Sequence, residues 1–195
     1  KPQNVEDRPD IKPFGVCVHT TGRGLPTKAL EKGERAIDLA ESIYCAPGAN
    51  FPHYVIDTFG VILQTADERE RARHVGISAE DRQAYISGAW RKSVSPAGLK
   101  LWQAKWPALR NPLQLYPSKG PNAGSLGVEL IPLLTRLPDG SRFSPEQYGA
   151  LSALLLDVAE RHGLSLRGKR LVGHEDLSPL TRWDKAGGWD PGSLR

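Results

Sequence analysis

The stretch Phe14-Gly15-Val16-Cys17-Val18-His19 is a short apolar run, rich in β-branched residues, that ends in a histidine. The turn-forming stretch Thr20-Thr21-Gly22-Arg23-Gly24 follows it, so the run predicts a buried strand that ends at His19. A second short strand, Arg170-Leu171-Val172-Gly173, is predicted directly before His174. We therefore expect both histidines to lie at the ends of strands.

Further strands and helices are predicted along the chain. Residues 52–57 and 61–65 alternate like two strands of a hairpin, and residues 125–131 indicate a core strand with Glu129 in its middle. Apolar residues at helical spacing predict helices over residues 27–44 and from Ser144 to about His162. These elements predict an α/β fold in which helices flank a central mixed sheet.

Length and composition indicate one domain over residues 1–195. The chain has 39% apolar and 25% charged residues, which is ordinary for a globular domain. No apolar run approaches the roughly 20 residues that cross a bilayer, so we expect no transmembrane segment. Residues 77–124 carry three tryptophans and many prolines and are predicted to be an irregular insertion that shapes a binding site. Within this insertion, Ser95-Pro96 predicts the start of one helix that runs to about Trp106.

The charge balance favours an anionic partner without identifying it. There are 26 basic and 22 acidic residues, and the basic ones are interspersed with acidic neighbours. The sequence shows no basic stripe interleaved with aromatic residues, so we expect no nucleic-acid partner. Two cysteines, Cys17 and Cys45, are too few for a disulfide framework, although a single bridge stays open if the protein is exported.

Two histidines and a carboxylate make up a candidate zinc set. Neutral imidazole nitrogens are common zinc ligands, and His19 and His174 are both predicted at strand ends. Asp190 supplies a negative charge on a loop that Pro191 constrains. Three protein ligands leave a fourth tetrahedral position for water, as in metal-dependent hydrolases. We therefore expect a zinc cleft at the strand ends, with Zn²⁺ as the cofactor.

The sequence resembles a known family at this point: the type 2 N-acetylmuramoyl-L-alanine amidases, which share a fold with phage amidase lysozymes and peptidoglycan recognition proteins. Five pieces in the family's order carry the resemblance over about residues 14–192, which we take as the core of the domain. They are Val18-His19-Thr20-Thr21, Pro52-His53-Tyr54-Val55-Ile56-Asp57, Arg73-His74-Val75-Gly76, Ser125-Leu126-Gly127-Val128-Glu129-Leu130, and Gly173-His174-Glu175-Asp176 with Asp190-Pro191-Gly192.

The resemblance implies a zinc amidase that cuts between N-acetylmuramic acid and the L-alanine of the peptidoglycan stem peptide. It places His19 and His174 as zinc ligands. For the third ligand, the Pro-Gly that follows the family's aspartate favours Asp190, whereas the usual spacing from the second histidine favours Asp184. We take Asp190 and leave Asp184 as the alternative.

The resemblance also assigns the catalytic and substrate-binding residues. Glu129 matches the strand glutamate that moves a proton from the attacking water to the leaving amine, and His74 is placed at the substrate rim. The family commonly has a lysine two residues before the third ligand, but Gly188 stands there. The oxyanion-stabilising cation is then Arg182, Lys185 or neither.

Two other functions stay open from the sequence. Some peptidoglycan recognition proteins keep the fold without catalysis, and the same zinc set can serve a different amide. We expect a monomer that acts on peptidoglycan or soluble muropeptides. An exported setting (periplasmic, extracellular or phage-lytic) is favoured over a cytoplasmic one, because the substrate polymer lies outside the membrane.

Overall fold

A computed structural model of the chain describes residues 6–7, 12–20, 36–46, 49–115, 120–133, 137–139 and 141–180. The strands described are β1 Glu6–Asp7, β2 Gly15–Thr20, β3 Tyr54–Ile56, β4 Ile62–Gln64, β5 Glu70–Arg71, β6 Ser125–Leu130 and β7 Leu171–Gly173. The α-helices described are α1 Ala36–Tyr44, α2 Ala79–Ser87, α3 Trp90–Ser93, α4 Pro96–Lys105, α5 Pro121–Gly124, α6 Pro145–His162 and α7 His174–Leu177. Two 3₁₀ turns span Pro112–Leu115 and Gly168–Arg170.

A five-stranded mixed sheet with the order β4-β3-β6-β2-β7 forms the centre of this single α/β domain. Strands β3, β6, β2 and β7 are parallel to their neighbours, and β4 runs antiparallel to β3. β2 is buried along most of its length, as expected for a parallel strand covered on both faces. The predicted fold class is confirmed, as are the hairpin and the core strand at residues 125–131.

Helix α6 covers one face of the sheet. Ser144 Oγ accepts a hydrogen bond from the Gln147 amide at 3.1 Å, and Gln147 Oε1 accepts one from the Ser144 amide at 3.1 Å, which completes the predicted capping box. The helix ends at Gly163, whose φ of +62° is a left-handed conformation that glycine adopts without strain. Apolar residues of alternate strand positions pack beneath it: Val16, Val18, Tyr54, Ile56, Leu126, Val128 and Leu130.

The opposite face is covered by two separate groups of residues. At the β3 end, Ala40 and Tyr44 of α1 pack against Val55 and Ile131. At the β7 end, Cys17 and the apolar residues of α2 to α4 form a second cluster. Side chains of β2 and β6 that point to this face therefore lie between the two groups.

The segment 77–124 is more helical than the sequence pattern predicts. It contains α2 to α5 and one 3₁₀ turn, and helices α2 and α4 begin at the caps Ser78 and Ser95. Trp90, Trp102 and Trp106 are 0%, 6% and 9% exposed, so they anchor the segment to the core. Helix α4 matches the helix predicted to start at Ser95-Pro96. The other helices escape the apolar-periodicity signal because few of their residues are apolar and buried; in α2 only Tyr85 is.

The structure bears on three other predictions, which concern the first helix, a disulfide bridge and a transmembrane segment. The predicted helix over residues 27–44 is described from Ala36 onward, and its earlier part lies outside the described residues. Neither Cys17 nor Cys45 is part of a disulfide, so the bridge left open by the sequence is not formed. No helix in the described part of the chain is both long and apolar enough to span a membrane.

Candidate metal centre

His19 and Glu129 lie side by side on neighbouring parallel strands. They are register partners of β2 and β6, so both side chains point to the face of the sheet that α1 and the segment 77–124 cover. His19 is 3% exposed. Because the strand register sets this pairing, a buried imidazole and a carboxylate share one short stretch of sheet.

His174 joins this pair from the next strand. It follows β7, which pairs with β2 on the side away from β6, and it is 5% exposed. The Nδ1 atoms of His19 and His174 are 3.0 Å apart, and the ring centroids are 4.5 Å apart. The structure thus brings together the two histidines that the sequence proposes as zinc ligands. Two nitrogens bound to one tetrahedral zinc stand about 3.3 Å apart, so this pair suits a shared ion.

His74, which the resemblance places at the substrate rim, is half-buried and lies against His19. Its Nδ1 is 2.8 Å from His19 Nε2, and the two rings meet edge to face with centroids 5.1 Å apart. On its other side, His74 Nε2 is 3.3 Å from Ser125 Oγ and 3.4 Å from the Ser125 carbonyl. Gly127 makes room for the ring, because a Cβ at that residue would lie 2.5 Å from His74 Cγ.

Cys17 adds a possible sulfur ligand. It lies two residues before His19 on the same strand face, and ligand atoms of Cys17, His19 and His74 all lie within 4.8 Å of one another. These three side chains could hold a metal ion. Cys17 is fully buried among the apolar residues of the segment 77–124, an environment that also suits an uncharged thiol.

The donor chemistry of the cluster fits zinc. Imidazole and thiolate groups are the ligands that zinc prefers, and those described here are buried or half-buried and close enough to share one ion. The candidate third ligands Asp190 and Asp184 lie outside the described residues, as do Arg182, Lys185 and Gly188.

Tyr44 is a functional candidate that the sequence reasoning missed. Its side chain hydrogen-bonds to Glu129, and burial, then the Glu129 charge and this hydrogen bond, raise the pKa of the Tyr44 hydroxyl well above its usual value. The hydroxyl therefore stays protonated and donates to the carboxylate. In the sequence, Tyr44 was only one apolar residue at the end of a predicted helix, and no local signal points to Glu129.

His174 is held in place by its own short helix. The Asp176 carboxylate accepts hydrogen bonds from the Gly173 amide at 2.8 Å, Lys105 Nζ at 2.6 Å and Trp106 Nε1 at 3.3 Å. Trp102 Nε1 donates to the Asp176 carbonyl at 3.2 Å. The C-terminal end of α4 therefore hydrogen-bonds to the short helix α7, which carries His174.

His53 is a structural residue. It is fully buried, its Nδ1 accepts the Gly127 amide hydrogen at 2.9 Å, and its Nε2 donates to the Glu70 carbonyl at 3.0 Å. Both ring nitrogens are used by the backbone, so His53 holds β6 next to the β5 segment and takes no part in the metal cluster.

Comparison with known proteins gives a family match and a structural match. A family model described as N-acetylmuramoyl-L-alanine amidase matches residues 9–193. A solved structure titled as a selenomethionine AmpD derivative has the same fold, with a TM-score of 0.57 and 18% sequence identity; the match covers 100% of this chain and 89% of that one. No curated protein matches the sequence.

Proposed function

Since the chain belongs to the N-acetylmuramoyl-L-alanine amidase family, whose model matches residues 9–193, we propose that it is a zinc-dependent enzyme of that activity. It hydrolyses the amide between the lactyl group of N-acetylmuramic acid and the L-alanine of the stem peptide. The observation that carries the zinc assignment is the 3.0 Å separation of the Nδ1 atoms of His19 and His174, next to Glu129 on the neighbouring strand.

The metal ligands in this proposal are His19, His174 and Asp190, with Asp184 as the alternative third ligand. Zinc bound there supplies a Lewis acid for the scissile carbonyl and lowers the pKa of water, to about 7 in enzymes of this kind. The set Cys17, His19 and His74 is the competing arrangement. Its ligand atoms all lie within 4.8 Å of one another.

Glu129 carries the proton in the proposed reaction. Its carboxylate takes a proton as water attacks the amide carbon, and returns it to the nitrogen when the carbon–nitrogen bond breaks. The products are the lactyl carboxylic acid and a free L-alanine amino group. The Tyr44 hydroxyl holds the Glu129 carboxylate from the α1 side, so the side chain that must move a proton has a fixed position.

Peptidoglycan or a muropeptide is the substrate that the family membership supports. The site lies between α1 and the segment 77–124, so these two groups form the walls of any substrate groove. We propose that the protein acts as an exported monomer. Fractionation of the source cells tests export, and size-exclusion chromatography tests the oligomeric state.

The experiment compares the parent with His174→Ala, Asp190→Ala, Asp184→Ala, Glu129→Gln and Cys17→Ser. Zinc content is measured, and hydrolysis is followed by the release of L-alanine amino ends from sacculi and from soluble muropeptides. We expect one zinc per chain, loss of zinc in His174→Ala and Asp190→Ala, and retained zinc with little activity in Glu129→Gln.

Each alternative predicts a different result. A parent that binds muropeptides but holds no zinc and releases nothing is a recognition module. A parent that holds zinc but cleaves only other amides has a different substrate. Loss of zinc in Cys17→Ser but not in His174→Ala identifies the competing ligand set, and loss in Asp184→Ala moves the third ligand to that residue.

A further inference from the structure

We propose that His74 is a positioning residue for the metal centre, neither a ligand nor a substrate contact. The inference rests on the proposed zinc site. His19 uses its two ring nitrogens in opposite directions: Nδ1 faces His174 at 3.0 Å, and Nε2 faces His74 Nδ1 at 2.8 Å. His74 therefore contacts the His19 imidazole on the side opposite His174.

The hydrogen bonds that link His19, His74 and Ser125 all run in one direction, from His19 towards Ser125. If His19 Nδ1 is a ligand, the ring hydrogen is on Nε2 and is donated to His74 Nδ1. The His74 hydrogen is then on its Nε2, which faces the carbonyl and hydroxyl oxygens of Ser125. The Ser125 hydroxyl donates to the Pro121 carbonyl at 2.6 Å, so its oxygen is oriented to accept from His74. Each partner fixes which nitrogen of the previous ring carries hydrogen.

The His74 ring is built into a fixed position. Asn122 Oδ1 accepts hydrogen bonds from the amides of His74 at 3.1 Å and Val75 at 2.7 Å, and Asn122 Nδ2 donates to the Val75 carbonyl at 2.8 Å. Gly127 lies directly under the ring, where any side chain would collide with it. The backbone and ring of His74 are thus located by residues of α5 and of the central strand β6.

This geometry disfavours the two other roles. As a metal ligand beside His19, His74 would share an ion with His19 Nε2, and His19 would then not present its Nδ1 to the ion that it shares with His174. As a substrate contact, it would offer a ring nitrogen to the cleft, yet both nitrogens face His19 and Ser125. Partners that orient a ligating histidine through its other nitrogen typically change metal affinity by about 10–100-fold when removed.

The test measures zinc affinity by competition with a chelator, together with KM and kcat at saturating zinc. The variants are His74→Ala, which removes the acceptor, and His74→Gln, whose amide oxygen can accept from His19. We expect His74→Ala to weaken zinc binding by about 10–100-fold while one zinc per chain still binds at saturation, and His74→Gln to recover part of the loss.

A glycine pair provides a matched control that leaves His74 in the chain. Gly127→Ala places a methyl group on the His74 ring and should weaken zinc binding, whereas Gly76→Ala adds a methyl group with nothing within 4 Å and should not. Circular dichroism of each variant checks that it folds.

The outcomes separate this inference from the proposed function. Unchanged zinc affinity with a raised KM in His74→Ala makes His74 a substrate contact and overturns the inference. Absence of zinc even at saturation in both His74→Ala and Cys17→Ser makes His74 a ligand and also overturns it. A parent without zinc overturns the proposed function, and the inference with it.

Discussion

Lys105 Nζ lies 2.6 Å from the carboxylate of Asp176, two residues after His174. The bond joins the last turn of α4 to the short helix α7, so the segment 77–124 is tied to the loop that carries a proposed zinc ligand. Asp176 is 4% exposed, and its carboxylate would be costly to bury without charged and polar donors. The segment thus positions a proposed zinc ligand as well as flanking the proposed substrate groove.

Replacing Lys105 tests this tie. Lys105→Met keeps a long apolar side chain but removes the charged donor, and we expect the free energy of unfolding to fall by about 1.5–3 kcal/mol. Urea denaturation measures the change. Lys100→Met on the same helix is the control, because Lys100 is exposed and its loss should matter little. Equal effects of the two substitutions would show that the bond to Asp176 contributes nothing particular.

Glu68 makes stability depend on pH in the acid range. Burial alone would raise the pKa of Glu68, but hydrogen bonds from Arg161, His162 and Tyr54 outweigh it and lower the pKa from 4.5 to about 2. A carboxylate whose pKa is lower in the folded state stabilises the fold above the unfolded pKa and loses that contribution as the pH falls. We expect the free energy of unfolding to fall by about 3 kcal/mol between pH 4.5 and pH 2 from this group.

Glu68→Gln is the matched variant for that pH series. It should be less stable than the parent at neutral pH and should lose less stability on acidification, because the titrating group is gone. Urea denaturation at several pH values gives both curves, and parallel curves would rule out Glu68 as the source. The Tyr54 hydroxyl donates a hydrogen bond to Glu68 Oε1 at 2.7 Å. Tyr54→Phe should therefore reproduce part of the stability change of Glu68→Gln.

The N-cap of α6 should be worth a measurable amount. Ser144 Oγ accepts from the Gln147 amide and donates to the Thr58 carbonyl at 2.7 Å, which joins the helix to the β3–β4 turn. We expect Ser144→Ala to lower the free energy of unfolding by about 1–2 kcal/mol. Ser87→Ala, at the exposed end of α2, is the control and should change stability far less. Similar losses in the two variants would contradict the role given to the cap.

The sequence was sufficient to predict the sheet and the proximity of His19 and His174. Buried parallel strands are continuous apolar runs, and the parallel neighbours β2 and β7 bring the residues at their ends to one edge. The capping box of α6 is equally local, since its two partners are three residues apart. Signals of this kind need no knowledge of the rest of the fold.

Contacts between residues far apart in the sequence could not be predicted from local patterns. His74 and His19 are 55 residues apart, and their contact depends on the space above Gly127 in a third segment. Lys105 and Asp176 are 71 residues apart and meet only because α4 packs beside β7. Such contacts depend on how complete elements dock, which neither periodicity nor spacing encodes.

Tyr44 leads to a prediction about the catalytic step itself. Tyr44→Phe removes the hydroxyl that donates to Glu129 and leaves the ring that packs in the α1 cluster. If Glu129 moves the proton, loss of this hydrogen bond should lower kcat by about tenfold, which corresponds to about 1.4 kcal/mol, with little change in KM or zinc content.

Tyr148→Phe, on the opposite face of the sheet, is the control and should keep the parent's kcat. Steady-state kinetics on a soluble muropeptide measures both variants. A kcat for Tyr44→Phe equal to that of the parent would mean that Glu129 needs no support from α1, whereas a raised KM with unchanged kcat would move Tyr44 from the proton-transfer site to the substrate groove.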